Sequence, residues 1–263
     1  MNNNPAAIGK EIRRLVVEMS HRSRSGETGS SLSLSDLLAV LYFKILRIDP
    51  KNPEWPERDR FVLSKGHGAA ALYAALALRG FFPEEKLLGH RVNDGVFHGH
   101  PSRGAAPGIE VSTGSLGHGL SIGVGMAHVL RGTSSRVYVL IGDGECNEGS
   151  IWEAALGAAA LGLRNIVAIV DDNKFQGFGA TKDTNPFDLA RQWEAFGWRV
   201  LRVDGHDVVA TEAALRQAAD AREPVVVIAD TVAGKGVPDI ERTLRAHYYV
   251  PDDAALKAVH KKV

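Results

Sequence analysis

Five short β-rich runs most narrowly limit what this chain can fold into: Arg60–Leu63, Val137–Ile141, Ile166–Val170, Arg199–Val203 and Val225–Ala229. Helical patterns lie between them, near 67–79, 117–131, 149–162, 186–196 and 210–221. A strand with one wet face alternates polar and apolar residues, whereas near-continuous apolar strands are covered on both faces. Such strands alternating with helices predict an α/β fold, a parallel sheet with helices on both faces. Ligands of these sheets bind beyond the carboxyl ends of the strands. The loops after Ile141 and Val170 are therefore the places to look for a site.

Ahead of the first strand, Ile12, Leu15, Val16 and Met19 recur at helical spacing and predict a helix over Ile8–Met19. Polar Ser20–Ser31, with two glycines, reads as a loop. A second helix is expected from Ser35, with Ser35 or Asp36 as its cap. Three prolines make Asp49–Arg60 a surface connection.

The 263 residues suit one large domain, 1–263, and carry 31 basic and 31 acidic side chains. A net charge of zero argues against a nucleic-acid partner, which calls for a basic surplus. A lone cysteine, Cys146, makes no internal disulfide. No run approaches the ~20 apolar residues that span a bilayer, and the N-terminus lacks the apolar core of a signal peptide. The expectation is a cytoplasmic protein without a membrane partner.

The two loops hold the most unusual segments. After Ile141 comes Gly142-Asp143-Gly144-Glu145-Cys146-Asn147-Glu148-Gly149, and after Val170 comes Asp171-Asp172-Asn173-Lys174-Phe175. Glycines beside Asp143 let the backbone turn sharply and approach a ligand. A carboxylate, an amide oxygen and a main-chain carbonyl suit a hard cation, Mg²⁺ or Ca²⁺, and Mg²⁺ keeps room for substrate phosphates. Alone, Gly-Asp-Gly is more often a plain tight turn, and Asp-Asn a helix cap. The pair at the ends of neighbouring strands reads as a metal-mediated diphosphate anchor.

This arrangement resembles the thiamine diphosphate fingerprint, and the likeness to transketolases runs over nearly the whole chain. Phe61-Val62-Leu63-Ser64-Lys65-Gly66-His67-Gly68 is similar to the segment whose histidine approaches the cofactor diphosphate. His98-Gly99-His100-Pro101 looks like the segment whose histidine meets the donor substrate. Ser112-Thr113-Gly114-Ser115-Leu116-Gly117-His118-Gly119 resembles the turn that meets the aminopyrimidine ring. The resemblance implies Asp143, Asn173 and the carbonyl of Phe175 as metal ligands. It implies Gly144, His67, Gly114 and Leu116 as cofactor contacts, with His247 as a looser match. It implies His67, His100 and His247 as catalytic histidines and Glu148 as a catalytic-interface glutamate. His118, His128 and the tryptophans Trp152, Trp193 and Trp198 are read as structural.

Only the diphosphate-binding (PP) domain of the family is resembled; its pyrimidine-binding and C-terminal domains are absent. A separate pyrimidine-domain subunit is thus implied, in an α₂β₂ heterotetramer. Together the two would move a two-carbon ketol unit from a ketose donor to an aldehyde acceptor. One departure stands out. The family's early-loop histidine, which faces the substrate, is replaced by Glu27. A carboxylate only accepts hydrogen bonds. Facing the site it would favour a hydroxyl-rich or cationic acceptor; the alternative is a side chain in solvent. The rival functions are a 2-oxo acid dehydrogenase α-subunit or another acyloin-forming thiamine enzyme, a deoxyxylulose-phosphate-synthase-like enzyme, and a non-catalytic scaffold.

Overall fold

The computed structural model describes residues 4–261. Five parallel strands form the main sheet: β1 (Arg60–Leu63), β2 (Val137–Gly142), β3 (Ile166–Asp172), β6 (Arg199–Asp204) and β7 (Val225–Asp230), in the order β1-β2-β3-β7-β6. The first predicted run matches β1 to the residue, and the other four match their strands with one or two residues added at the carboxyl end. Side chains alternate between two cores: Tyr138 and Leu140 face one, Val137, Val139 and Ile141 the other. A right-handed crossover puts its helix on the face set by the direction of travel across the sheet. Helix α6 (Gly149–Ala160) joins β2 to β3, moving one way, and packs with α5 (His118–Val129) on the second core. Helix α9 (Val208–Ala219) joins β6 to β7, moving back, and lies on the first core with α1 (Pro5–Ser23), α3 (Ser35–Val40) and α4 (Ala69–Arg79). Both faces are covered, as expected.

Strand register brings acidic residues together at the carboxyl edge, with Asp172 level with Asp230 and Asp230 level with Asp204. Beyond it lie the hairpin β4 (Phe175–Gln176) and β5 (Gly179–Ala180), the short helices α7 (Thr181–Thr184) and α10 (Arg245–Tyr248), and α8 (Leu189–Ala195). The chain ends in α11 (Asp253–Lys261). Among the described residues no helix is long and apolar enough to cross a membrane.

Two local expectations are corrected. The Ser20–Ser31 segment is a loop only over 24–27: α1 runs on to Ser23, and Thr28–Ser33 forms α2, all six of its residues buried. Its serine and glycine content disfavours a helix in isolation, but burial overrides propensity here. Gly29 is needed because a β-carbon would lie 2.6 Å from that of Ala246. The caps expected at Ser35 and Asp36 are not made. Leu34 occupies the N-cap, Ser35 donates back to the Ser31 carbonyl, and Asp36 binds Arg13 and His206.

Candidate active site

The loop after β2 folds as a single 3₁₀ turn, Gly144–Asn147, and places Asp143 at its start. Asp143 is 4% exposed. Its Oδ2 accepts the Lys174 amide at 2.9 Å and the Thr181 hydroxyl at 2.7 Å. Among the described residues, Oδ1 accepts no hydrogen bond. Burial pushes the carboxyl up to about 6, opposed by the Thr181 hydrogen bond and by Lys65, and reinforced by Asp172 and Asp171. A carboxylate desolvated to this degree gains from a nearby cation. After β3, Asn173 Oδ1 accepts the Phe175 amide at 3.0 Å and keeps a second lone pair. Lys174, between them, takes a left-handed φ of 71°, which turns the chain back toward Asp143. Among the described residues no point gathers three His, Cys, Asp or Glu side chains. The expected donors need no such cluster, being one carboxylate, one amide and one carbonyl. These oxygens fit a hard divalent cation.

A cavity of about 490 Å³ opens beside this turn. Its walls include Glu27, His67, His100, Gly114, Leu116, Asp143, Gly144, Glu148, Phe175 and His247. Every residue given a site role from the sequence lines it except Asn173, which is buried next to Asp171. A second cavity, about 590 Å³, shares Asp143, Phe175 and little else of that set, its far wall being the 182–192 segment.

The three imidazoles arrive by different routes. Gly66 brings His67 in: its α-carbon approaches the Gly114 turn so closely that a β-carbon would lie 2.8 Å from the Gly114 nitrogen. Thr113 Oγ1 reinforces the contact by donating to the Leu63 carbonyl at 2.7 Å. His67 caps no helix, since Gly68 holds the N-cap of α4. The Tyr73 hydroxyl meets the carbonyls of His98 and His100 at 3.1 and 3.0 Å and fixes the Gly-His-Pro segment. Helix α10 carries His247, whose ring lies 5.7 Å from that of His67. Burial drives the His67 pKa well below its ordinary value, with Lys65 and the neighbouring histidines adding to the effect. Burial also lowers His247, with Lys65 helping and Glu27 opposing. Both are neutral imidazoles at pH 7. Among the described residues none of the three side chains makes a hydrogen bond. His67 and His247 are half-buried and His100 is exposed, so three imidazoles with unused donors and acceptors line one cavity.

Three residues of the site escaped sequence reading. Glu145, 2% exposed, accepts from Ser64 Oγ, the Gly117 amide at 2.8 Å and the Gly142 amide at 3.0 Å. It clamps the Gly114–Gly117 turn to the β2 loop. Lys65 lines the cavity and pairs with fully buried Asp171, which also accepts from Ser33 and Thr231. Arg91 pairs with Glu27, which lines the cavity. A lysine before Gly-His-Gly and an acid inside Gly-Asp-Gly-Glu were visible, but their partners were not. Of the residues read as structural, Trp193 and Trp198 are core side chains and Trp152 packs against Trp193. His118 and His128 are exposed.

A parallel sheet whose carboxyl-edge loops build such a cavity is the plan of the thiamine-diphosphate-binding α/β proteins. Within that class, the chain belongs to the transketolase family of transferases: the model of the transketolase thiamine diphosphate binding domain matches residues 5–263. It is 44% identical over 240 residues to a 6-deoxy-6-sulfo-D-fructose transketolase subunit of Clostridium sp. (strain MSTE9), covering 90% of this chain and 87% of that one. It is 43% identical over 248 residues to an apulose-4-phosphate transketolase subunit of Actinobacillus succinogenes, covering 92% and 89%. A solved transketolase from Pichia stipitis superposes with a TM-score of 0.93 at 32% identity, covering 98% of this chain and 40% of that one. One from Leishmania mexicana gives 0.92 at 28%, covering 98% and 41%. The chain thus spans about two fifths of the length of these solved enzymes.

Proposed function

We propose that the cavity is the diphosphate half of a thiamine diphosphate site, completed by a separate subunit carrying the pyrimidine-binding domain. With that partner the chain transfers a two-carbon ketol unit from a ketose to an aldehyde. The observation that carries this reading is the convergence of His67, His100 and His247, unpaired and from three distant segments, on the cavity that holds Asp143. Two of the relatives are themselves named as subunits, which supports a divided enzyme. An α₂β₂ heterotetramer working in cytoplasmic carbohydrate metabolism fits the reading.

The bound cofactor supplies the carbanion chemistry that breaks and makes carbon–carbon bonds beside a carbonyl. The chain's own residues hold and surround it. Asp143 Oδ1, the Asn173 amide oxygen and the Phe175 carbonyl would hold Mg²⁺, and the Gly144 amide would meet the diphosphate. The Gly114 and Leu116 main chain, fixed by Glu145, would support the pyrimidine end. Neutral His67 and His247 can each donate from one ring nitrogen and accept at the other. That suits them, with His100, to orient substrate hydroxyls and to move protons at the substrate oxygens. Glu148, exposed at the start of α6, would meet the partner.

The test is a transfer assay with Mg²⁺, thiamine diphosphate, a ketose donor and a panel of aldehydes. Activity should appear only when this chain is mixed with a pyrimidine-domain subunit, and Asp143→Ala should remove it together with metal-dependent cofactor binding. Full activity in Asp143→Ala would sink the assignment.

A further inference from the structure

Glu27, on the cavity wall, and Arg91, from a loop far away in the chain, form an ion pair. Both take left-handed backbone angles, φ 65° for Glu27 and 49° for Arg91. Side chains other than glycine avoid this region, and such residues persist where their surroundings over-determine them. Those surroundings are visible. The Glu27 amide donates to the His247 carbonyl at 3.0 Å, and the Arg91 amide donates to the Phe97 carbonyl at 2.8 Å. The Arg91 guanidinium lies against Gly99, where a β-carbon would collide with it. Gly99 precedes His100. The pair therefore joins the loops beside His247 and His100, and it fixes Glu27 on the cavity wall from both sides.

The charges around it are informative. Lys65 is the one lysine or arginine among the described residues that line the cavity, and it is committed to Asp171. Arg91 is committed to Glu27. His67 and His247 are neutral. An anionic substrate group placed beside Glu27 finds no free lysine or arginine among the described residues that line the cavity and meets a carboxylate instead. A hydroxyl group fares differently. Glu27 uses only Oε2 toward Arg91, and among the described residues its Oε1 accepts nothing. Glu27 thus presents a free acceptor oxygen to a substrate hydroxyl in the cavity, while Arg91 holds the carboxylate in place.

We propose that the Glu27–Arg91 pair is a specificity-determining element that reads the hydroxyls of a neutral hydroxyaldehyde and rejects an anionic group in the same place. This rests on the ketol-transfer reading above. It assigns a part to Arg91, and gives Glu27 a role that depends on its partner.

The test compares two aldehydes, glycolaldehyde and glyoxylate, in which a hydroxymethyl group is exchanged for a carboxylate beside the carbonyl. The assembled complex of both subunits is used, with thiamine diphosphate and Mg²⁺, and the ratio of kcat/KM for the two acceptors is the readout. The unaltered protein should favour glycolaldehyde. Glu27→Gln releases Arg91 and should shift the ratio at least tenfold toward glyoxylate. Arg91→Gln leaves the carboxylate unpaired and should shift it the other way. Circular dichroism confirms folding, and the double variant Glu27→Gln/Arg91→Gln should give a ratio between the two single variants. If all variants lose kcat/KM equally for both acceptors, the pair is only a structural clasp and the proposal is overturned. Transfer to neither aldehyde by the unaltered complex would overturn the ketol-transfer reading itself, and the pair's role with it.

Discussion

Lys65 is 2% exposed and Asp171 is fully buried, so their ion pair sits where desolvation is severe. Burial alone would raise the Asp171 carboxyl, but Lys65, Ser33 and Thr231 more than offset it and hold the carboxyl below its ordinary range. A buried pair adds little net stability, while loss of one partner strands the other charge. Asp171→Asn should therefore destabilise the fold by ~3–5 kcal/mol. The double variant Lys65→Gln/Asp171→Asn should recover most of that loss, because no charge is left unpaired. Denaturant midpoints of the two variants decide the matter: equal loss in both would mean that shape, not charge, is what this position requires. The pair was invisible in the sequence because the two residues lie at the ends of different strands and only the fold makes them neighbours. Glu145 is a similar case. It follows the Gly-Asp-Gly fingerprint directly, yet its partners, the Gly117 and Gly142 amides and Ser64, identify themselves only when two turns close on each other. The histidines were legible because short glycine-containing motifs mark each of His67 and His100, and a looser family match marks His247.

Strands were read to within two residues because β2, β3 and β7 are buried along nearly their whole length and leave continuous apolar runs, while the edge strand β6 is largely exposed and shows only an interrupted one. Helix α2 was missed for the opposite reason. Thr28–Ser33 has no apolar face, and it is helical because α1, α4 and α10 enclose it. The hairpin β4–β5 and helices α7 and α10 escaped as well. Each is too short to show a period, and α10 brings His247 to the site. Asp36 shows how one buried acid ties such elements together. It receives Arg13 from α1 at 2.8 Å and His206, from the loop before α9, at 2.8 Å. Burial would raise this carboxyl, but the His206 and Arg13 contacts more than offset it and its folded pKa is lowered. A group depressed in the folded state contributes stability that is present above its unfolded pKa, about 3.9 for aspartate. That contribution is lost as pH falls through the lower, folded value. Thermal unfolding of the protein should thus lose stability progressively below about pH 4. The Asp36→Asn variant should start less stable and show a shallower acid limb. Parallel acid limbs in the two proteins would show that other carboxylates carry the effect.

At the scale of the whole molecule, basic and acidic residues balance, 31 against 31, so no long-range field selects a highly charged partner. What the surface does offer lies at the mouth of the cavity. Phe178, at the tip of the β4–β5 hairpin, is 96% exposed, and Tyr248, beside it, is 62% exposed and anchored by a 2.8 Å bond from its hydroxyl to the Gly177 carbonyl. Exposed aromatic side chains beside a polar cleft are what a protein interface uses as anchors. The proposed pyrimidine-domain subunit must close this same cavity to complete the cofactor site, so its surface should cover Phe178. Phe178→Asp changes a side chain that the isolated chain leaves in water and should shift its own stability by no more than ~0.5 kcal/mol. Assembly with the partner should weaken by about 2 kcal/mol or more, roughly 30-fold in Kd, because a charge would be carried into the contact. Titration calorimetry measures the affinity, and sedimentation of the mixture counts the subunits in the complex. An unchanged affinity would place the partner on another face, and the cavity would then open to solvent in the assembled enzyme. Weakened assembly that excess thiamine diphosphate and Mg²⁺ partly restore would tie subunit docking to cofactor binding, since a ligand that bridges two chains favours their association by mass action.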